Sequence, residues 1–107
     1  MKKALTVSAL AVTLILLGAC QTEKMEKQKS GEALFNEYCA ICHPNGGNIV
    51  SPEHPLHKEH LKTTKITTPE DIVHVMRNPG PGMTKFDEQT IPDRDALKIG
   101  EYILNTF

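Results

Sequence analysis

Cys39-Ala40-Ile41-Cys42-His43 places two thiols and an imidazole within five consecutive residues. Two cysteines so spaced, with a histidine directly after the second, are the attachment signature of a c-type haem. The sulfurs add across the vinyl groups of the porphyrin as two thioethers. The adjoining imidazole then lies under the iron as its proximal ligand. Two other chemistries use a C-x-x-C pair. A thioredoxin-like redox pair needs a βαβ pattern around it, and the sequence shows none. A zinc knuckle needs a second Cys/His pair at ligand spacing, and the chain has no fourth cysteine.

A haem held in this way can take its second axial ligand from a distant loop. Met83 lies forty residues after His43, behind Pro79-Gly80-Pro81-Gly82, which forces a non-helical path. Its thioether is a soft ligand that favours Fe(II), so a Met/His set raises the reduction potential relative to two imidazoles. Met76 and His74 compete for the place. Met76 falls within a helical pattern and reads as core filler, whereas His74 would give bis-His ligation and a low potential. His54, His57 and His60 recur at three-residue spacing. That spacing admits a surface metal site, though ordinary exposed histidines are the commoner case.

The elements that must position these residues are helical. Ser30 is a candidate N-cap for a helix through Leu34, Phe35 and Tyr38, with Glu32 in its first turn. The pattern predicts that this helix runs into Cys39 and Cys42 and stops at Pro44. Asn45-Gly46-Gly47-Asn48 is a turn cluster, and Pro52 and Pro55 keep the next segment extended before a short helix within 54–61. Thr68-Pro69-Glu70-Asp71 opens a third helix with a cap, a first-position proline and two acids. Asn78-Pro79-Gly80 ends it. The last helix, Pro92 to Phe107, carries Ala96, Leu97, Ile99, Ile103 and Leu104 at a 3.6-residue period. Gly100 in its middle predicts a close helix–helix contact.

The 107 residues leave no room for a second domain. Lys2 and Lys3 form a basic start to an uncharged, mostly apolar run of 14 residues, Ala4 to Leu17, as in a signal peptide. Leu17-Gly18-Ala19-Cys20 then resembles the lipobox of bacterial lipoproteins. The resemblance implies cleavage before Cys20 and lipid on its sulfur and amino group, an anchor of two or more acyl chains. The ordinary alternative is a secretory signal cleaved near Ala19, leaving a soluble protein with a free thiol. With Cys20 lipidated and Cys39 and Cys42 on haem, all three cysteines have a use, and both modifications occur outside the cytoplasmic membrane. Residues 21–30 are polar and charged and read as a tether. Loss of Lys2 and Lys3 leaves ten basic against thirteen acidic side chains, a net charge of −3. That balance excludes a nucleic-acid binder. Only five aromatics serve 88 mature residues, so a buried porphyrin would supply missing apolar bulk.

Gly31 to Phe107 resembles the monohaem class I c-type cytochromes, specifically the cytochrome c₆ group. The matching motifs are Phe35 with Cys39 to His43, Gly46-Gly47-Asn48, Pro52 to Leu56, Asn78 with Gly82-Met83 and Phe86, and Gly100 to Ile103. The resemblance implies an all-α fold of about four short helices around one covalent haem c, with first and last helices crossing where Gly31 and Phe35 meet Ile99 and Tyr102. It implies His43 and Met83 as iron ligands, and a Pro52 carbonyl that accepts from Nδ1–H of His43 so that Nε2 ligates. Residues 1–19 are then a lipoprotein signal peptide, 20–30 the lipidated Cys20 and tether, and 31–107 the cytochrome c domain. Two positions depart from the family. Thr84 follows Met83 where the family has Pro, and Val75 stands where many members carry Gln, a change that goes with a lower potential.

The implied function is single-haem electron transfer, not catalysis, in a bacterial respiratory or extracellular chain. The partners would be other redox proteins, foremost other cytochromes, met by a monomer at the haem edge beside the C-x-x-C-H loop. The body and lipobox together are similar to small outer-membrane cytochromes, and Gln21 after Cys20 also favours the outer membrane. The rival is a haem-based gas-binding or peroxidase-like protein in which Met83 leaves the iron. A third reading gives haem a purely structural role.

Overall fold

The computed structural model describes residues 27–107. The expectations for the signal peptide, for Cys20 and for most of the tether lie outside them. Within them the chain forms α1 (Gly31–Tyr38), a 3-10 turn (Pro44–Gly46), α2 (Lys58–Thr63), α3 (Pro69–Arg77) and α4 (Asp93–Thr106). No strand occurs among the described residues, and none of their helices is long and apolar enough to cross a membrane.

Helix α4 is the axis of the core and packs against both α1 and α3. Its 3.6-residue stripe buries Ala96, Ile99, Gly100 and Ile103. Ala96 and Ile99 are wholly inaccessible, and Phe35 from α1 is 2% exposed. Burying side chains of the size of Ile99 or Phe35 contributes about 1.5–3 kcal/mol each. The crossing is close because Gly31 permits it: a Cβ there would stand 2.3 Å from the carbonyl oxygen of Lys98. Phe35 meets Tyr102 at 5.4 Å and Phe107 at 5.3 Å between ring centroids, so the crossing ends in an aromatic cluster. The close contact expected of Gly100 is made with α3, where a Cβ would lie 2.9 Å from Pro69 Cα and its carbonyl oxygen.

Local chemistry sets the helix starts. Ser30 Oγ accepts from the Ala33 N–H at 3.1 Å. Thr68 and Asp71 cap α3 reciprocally, with Thr68 Oγ1 taking the Asp71 N–H and Asp71 Oδ2 taking the N–H groups of Thr67 and Thr68. The end of α1 differs from expectation. The helix stops at Tyr38 and does not run through the cysteines. The carbonyl of Phe35 accepts from both Cys39 and Ala40, and the chain then closes a separate turn, His43 N–H to Cys39 O at 2.9 Å. The second helix also starts later than predicted. His57 has extended backbone (φ −67°, ψ 138°), and helical hydrogen bonds begin only beyond it. That helix ends on Lys65 in the left-handed region (φ 60°), with the Ile66 N–H returning to the Leu61 carbonyl.

Candidate haem-binding site

Two loops face the helices. The first, residues 39–57, carries the cysteines and His43; the second, residues 78–92, carries Met83. The first loop is organised by main-chain bonds. The Ile49 N–H reaches Cys42 O at 3.0 Å, and Leu56 N–H reaches Gly46 O. Asn48 holds the bend beyond, its Oδ1 accepting from the N–H groups of Val50 and Ser51 and its Nδ2 donating to His54 O. The second loop is held from α3. The Phe86 N–H donates to Met76 O at 3.0 Å, and Tyr38 meets the Phe86 ring edge-on at 6.2 Å between centroids.

Arg77 makes the larger tie, one that sequence reading missed. Its guanidinium donates to Phe86 O at 2.9 Å, to Ile91 O at 2.8 Å and to Asp93 Oδ1 at 2.6 Å. One residue thereby joins the end of α3, both sides of the second loop and the start of α4. Gly82 is required twice over at the tip: its φ is +87°, and a Cβ would meet Val50 Cγ1 at 2.9 Å. The two loops therefore touch beside Met83.

Between loops and helices lies a cavity of about 510 Å³, within the range of small-molecule and cofactor sites. Cys39, His43 and Met83 all line it, against an apolar wall that includes Leu61, Ile72, Val75 and Ile103. Cys42 lines a smaller adjoining cavity together with Cys39, His43 and Met83. Met76 is 3% exposed, as core filler should be, though one side of it reaches the larger cavity. His74 is exposed and lines neither cavity.

The ring of His43 corrects one expectation. Its Nδ1 lies 2.8 Å from the carbonyl oxygen of Gly47, not from that of Pro52. The 3-10 turn after His43 folds the chain back at once, with Gly46 N–H to His43 O and Gly47 N–H to Pro44 O, and this brings the Gly47 carbonyl under the ring. Pro52 is exposed and lines neither cavity. Facing an acceptor, Nδ1 carries the proton and Nε2 is left with its lone pair free for a metal.

The Cys39 thiol fits one of these C-x-x-C chemistries better than the other. Burial, with a smaller contribution from neighbouring Cys42, pushes the Cys39 thiol up to about 11. A redox-active C-x-x-C pair needs the opposite, a depressed thiol. Among the described residues no three His, Cys, Asp or Glu side chains gather as a metal site of their own. Two thiols, one imidazole with its tautomer set, one thioether and an apolar wall of cofactor size together fit a c-type haem.

Comparison with known proteins gives the same answer. The family described as cytochrome c oxidase, cbb3-type, subunit III, matches residues 26–103. Cytochrome c6 of Pyropia yezoensis is 28% identical over 98% of this chain and 94% of its own length. That of Cyanidioschyzon merolae is 32% identical, covering 69% of each chain. The solved structure of OmcF, outer membrane cytochrome F from Geobacter sulfurreducens, is 49% identical at a TM-score of 0.71, over 73% of this chain and 99% of that one. Cytochrome c6 from the diatom Phaeodactylum tricornutum is 30% identical at a TM-score of 0.64, over 70% and 87%.

Proposed function

This chain belongs to the c6-like class I c-type cytochromes, electron-transfer proteins with one covalent haem c, and from that premise we propose a lipid-anchored carrier with His43 and Met83 as axial ligands. The observation that carries the proposal is the shared cavity, in which Cys39, His43 and Met83 meet one apolar wall. When bound, the haem supplies a one-electron Fe(III)/Fe(II) couple. Cys39 and Cys42 tether it, the Gly47 carbonyl holds the His43 ring in register, and Gly82, Val50 and Arg77 fix the loop that presents Met83. With both axial side chains anchored by their own loops, little atomic movement need accompany a change of charge. Leu61, Ile72 and Ile103 exclude water from the site.

Ile41, Ile49 and Val50 are 81%, 61% and 55% exposed around the C-x-x-C-H loop. They offer an apolar face for brief docking of other redox proteins, foremost cytochromes, by a monomer. Cys20 carries the lipid, residues 1–19 are removed, and the tether places the domain at the cell envelope, on the outer membrane.

The test is optical. The oxidised wild-type protein should show the weak far-red thioether-to-iron(III) charge-transfer band, and Met83→Ala should abolish it while covalent haem is retained. A wild-type protein that lacks the band at neutral pH overturns the axial assignment. Carbon monoxide binding by the reduced wild type without denaturant would replace it with the gas-binding reading.

A further inference from the structure

We propose that His54 and His60 form a two-imidazole zinc site on the rim of the cavity, separate from the iron ligands. His54 Nδ1 and His60 Nε2 stand 3.4 Å apart, with ring centroids at 5.4 Å and planes inclined by 57°. Two Zn–N bonds of about 2.0–2.1 Å opening at the tetrahedral angle hold their nitrogens about 3.3–3.4 Å apart. A right-angled pair, as in square-planar copper or octahedral nickel, needs about 2.9–3.0 Å. The separation is therefore a tetrahedral bite. It is long for a hydrogen bond between the same atoms.

The surroundings suit a ligand pair. Nε2 of His54 lies 3.8 Å from a Glu53 carboxylate oxygen. A carboxylate on that side adds negative charge beside the pair, which favours a cation there. The two rings are carried by separately fixed segments. His54 is held by its N–H to Ser51 O at 2.8 Å and by Asn48 Nδ2 on its carbonyl. His60 stands in the first turn of α2, which Leu61, 5% exposed, anchors to the core. The main chain that carries both rings is thus set before an ion arrives, which lowers the ordering cost of chelation. The His54 side chain is 63% exposed, so the ion has access and water completes its coordination. His57, at the N-cap of α2, does not line the cavity with the other two and serves as an internal comparison.

The experiment is a titration of the reduced, haem-loaded protein with zinc chloride, followed by calorimetry and by imidazole ¹H–¹⁵N signals. One ion should bind, and the ring signals of His54 and His60 should move together. His54→Gln and His60→Gln should each weaken binding at least about tenfold through loss of chelation, and His57→Gln should leave it within about twofold. Equal affinity in wild type and His54→Gln, movement of only one of the two rings, or no zinc binding at all would overturn the proposal. In the last case the contact is a weak imidazole–imidazole hydrogen bond.

Discussion

Where α1 and α3 meet α4, side chains close on side chains: Phe35, Ala96 and Ile99 are at most 2% exposed, and Gly31 and Gly100 leave no space for a methyl group. The two loops that bear His43 and Met83, the proposed haem ligands, are built differently. Residues 39–57 and 78–92 hold one 3-10 turn and no α-helix. Their order comes from main-chain hydrogen bonds, from Asn48 and from Arg77, and they leave Ile41, Ile49 and Val50 to solvent. The contrast teaches where stability and function reside. The helix crossings are self-complementary, whereas the loops, with Leu61, Ile72, Val75 and Ile103 facing them from the helices, line a space of cofactor size.

The largest expected effect sharpens that division. Cys39→Ala/Cys42→Ala should lose essentially all covalent haem, read as haem stain on a denaturing gel. Wild-type haem content in that variant would break the division outright. Next come changes inside the helical half. Gly31→Ala drives a methyl into the Lys98 carbonyl and should destabilise the protein by about 3 kcal/mol in guanidinium unfolding, with haem retained. Ile99→Ala should cost about 3–4 kcal/mol by the same measurement.

A smaller effect probes the join between the two halves. Arg77→Met leaves the Phe86 and Ile91 carbonyls without their donor and should cost about 2 kcal/mol. It should also weaken the far-red charge-transfer band, because the Met83 loop loses its tie to α3. An unchanged band would show that the loop is held by the haem alone. The smallest effect concerns pH. Hydrogen bonds from the N–H groups of Thr67 and Thr68 hold the Asp71 carboxyl below its ordinary 3.8, and the Thr90 N–H does the same for Asp87. A carboxyl lowered in the folded state stabilises it fully above 3.8 and loses that contribution as pH falls through the folded value. Asp71→Asn should therefore flatten the acid limb of stability against pH, leaving neutral unfolding midpoints to report only the altered cap.

Much of this was legible because it is local. The start of α3 is written in Thr68, Pro69 and Asp71, all within four residues, and the stripe of α4 follows from its period. C-x-x-C-H names its own cofactor chemistry. The end of α1 was not legible, since one carbonyl shared by Cys39 and Ala40 has no residue-type signature. Gly47 was missed for the same reason: its contribution to His43 is a main-chain oxygen, placed by a turn. Arg77 was not legible either, because its partners stand up to 16 residues away. The histidines were only partly legible from their spacing. Read as helix, His54, His57 and His60 would share a face, yet only His60 lies within α2, and a turn brings His54 to it.

The crossing of the first and last helices also orders events in time. A chain that appears amino end first presents Cys39 and Cys42 long before α4 exists, and α1 lacks its main helical partner until the final residues arrive. Closing a contact between chain ends this far apart comes late, after nearer ones. The fold thus contains its own delay. If Cys39 and Cys42 take the haem as proposed, that interval is the one in which they can react before α4 completes the core around the site.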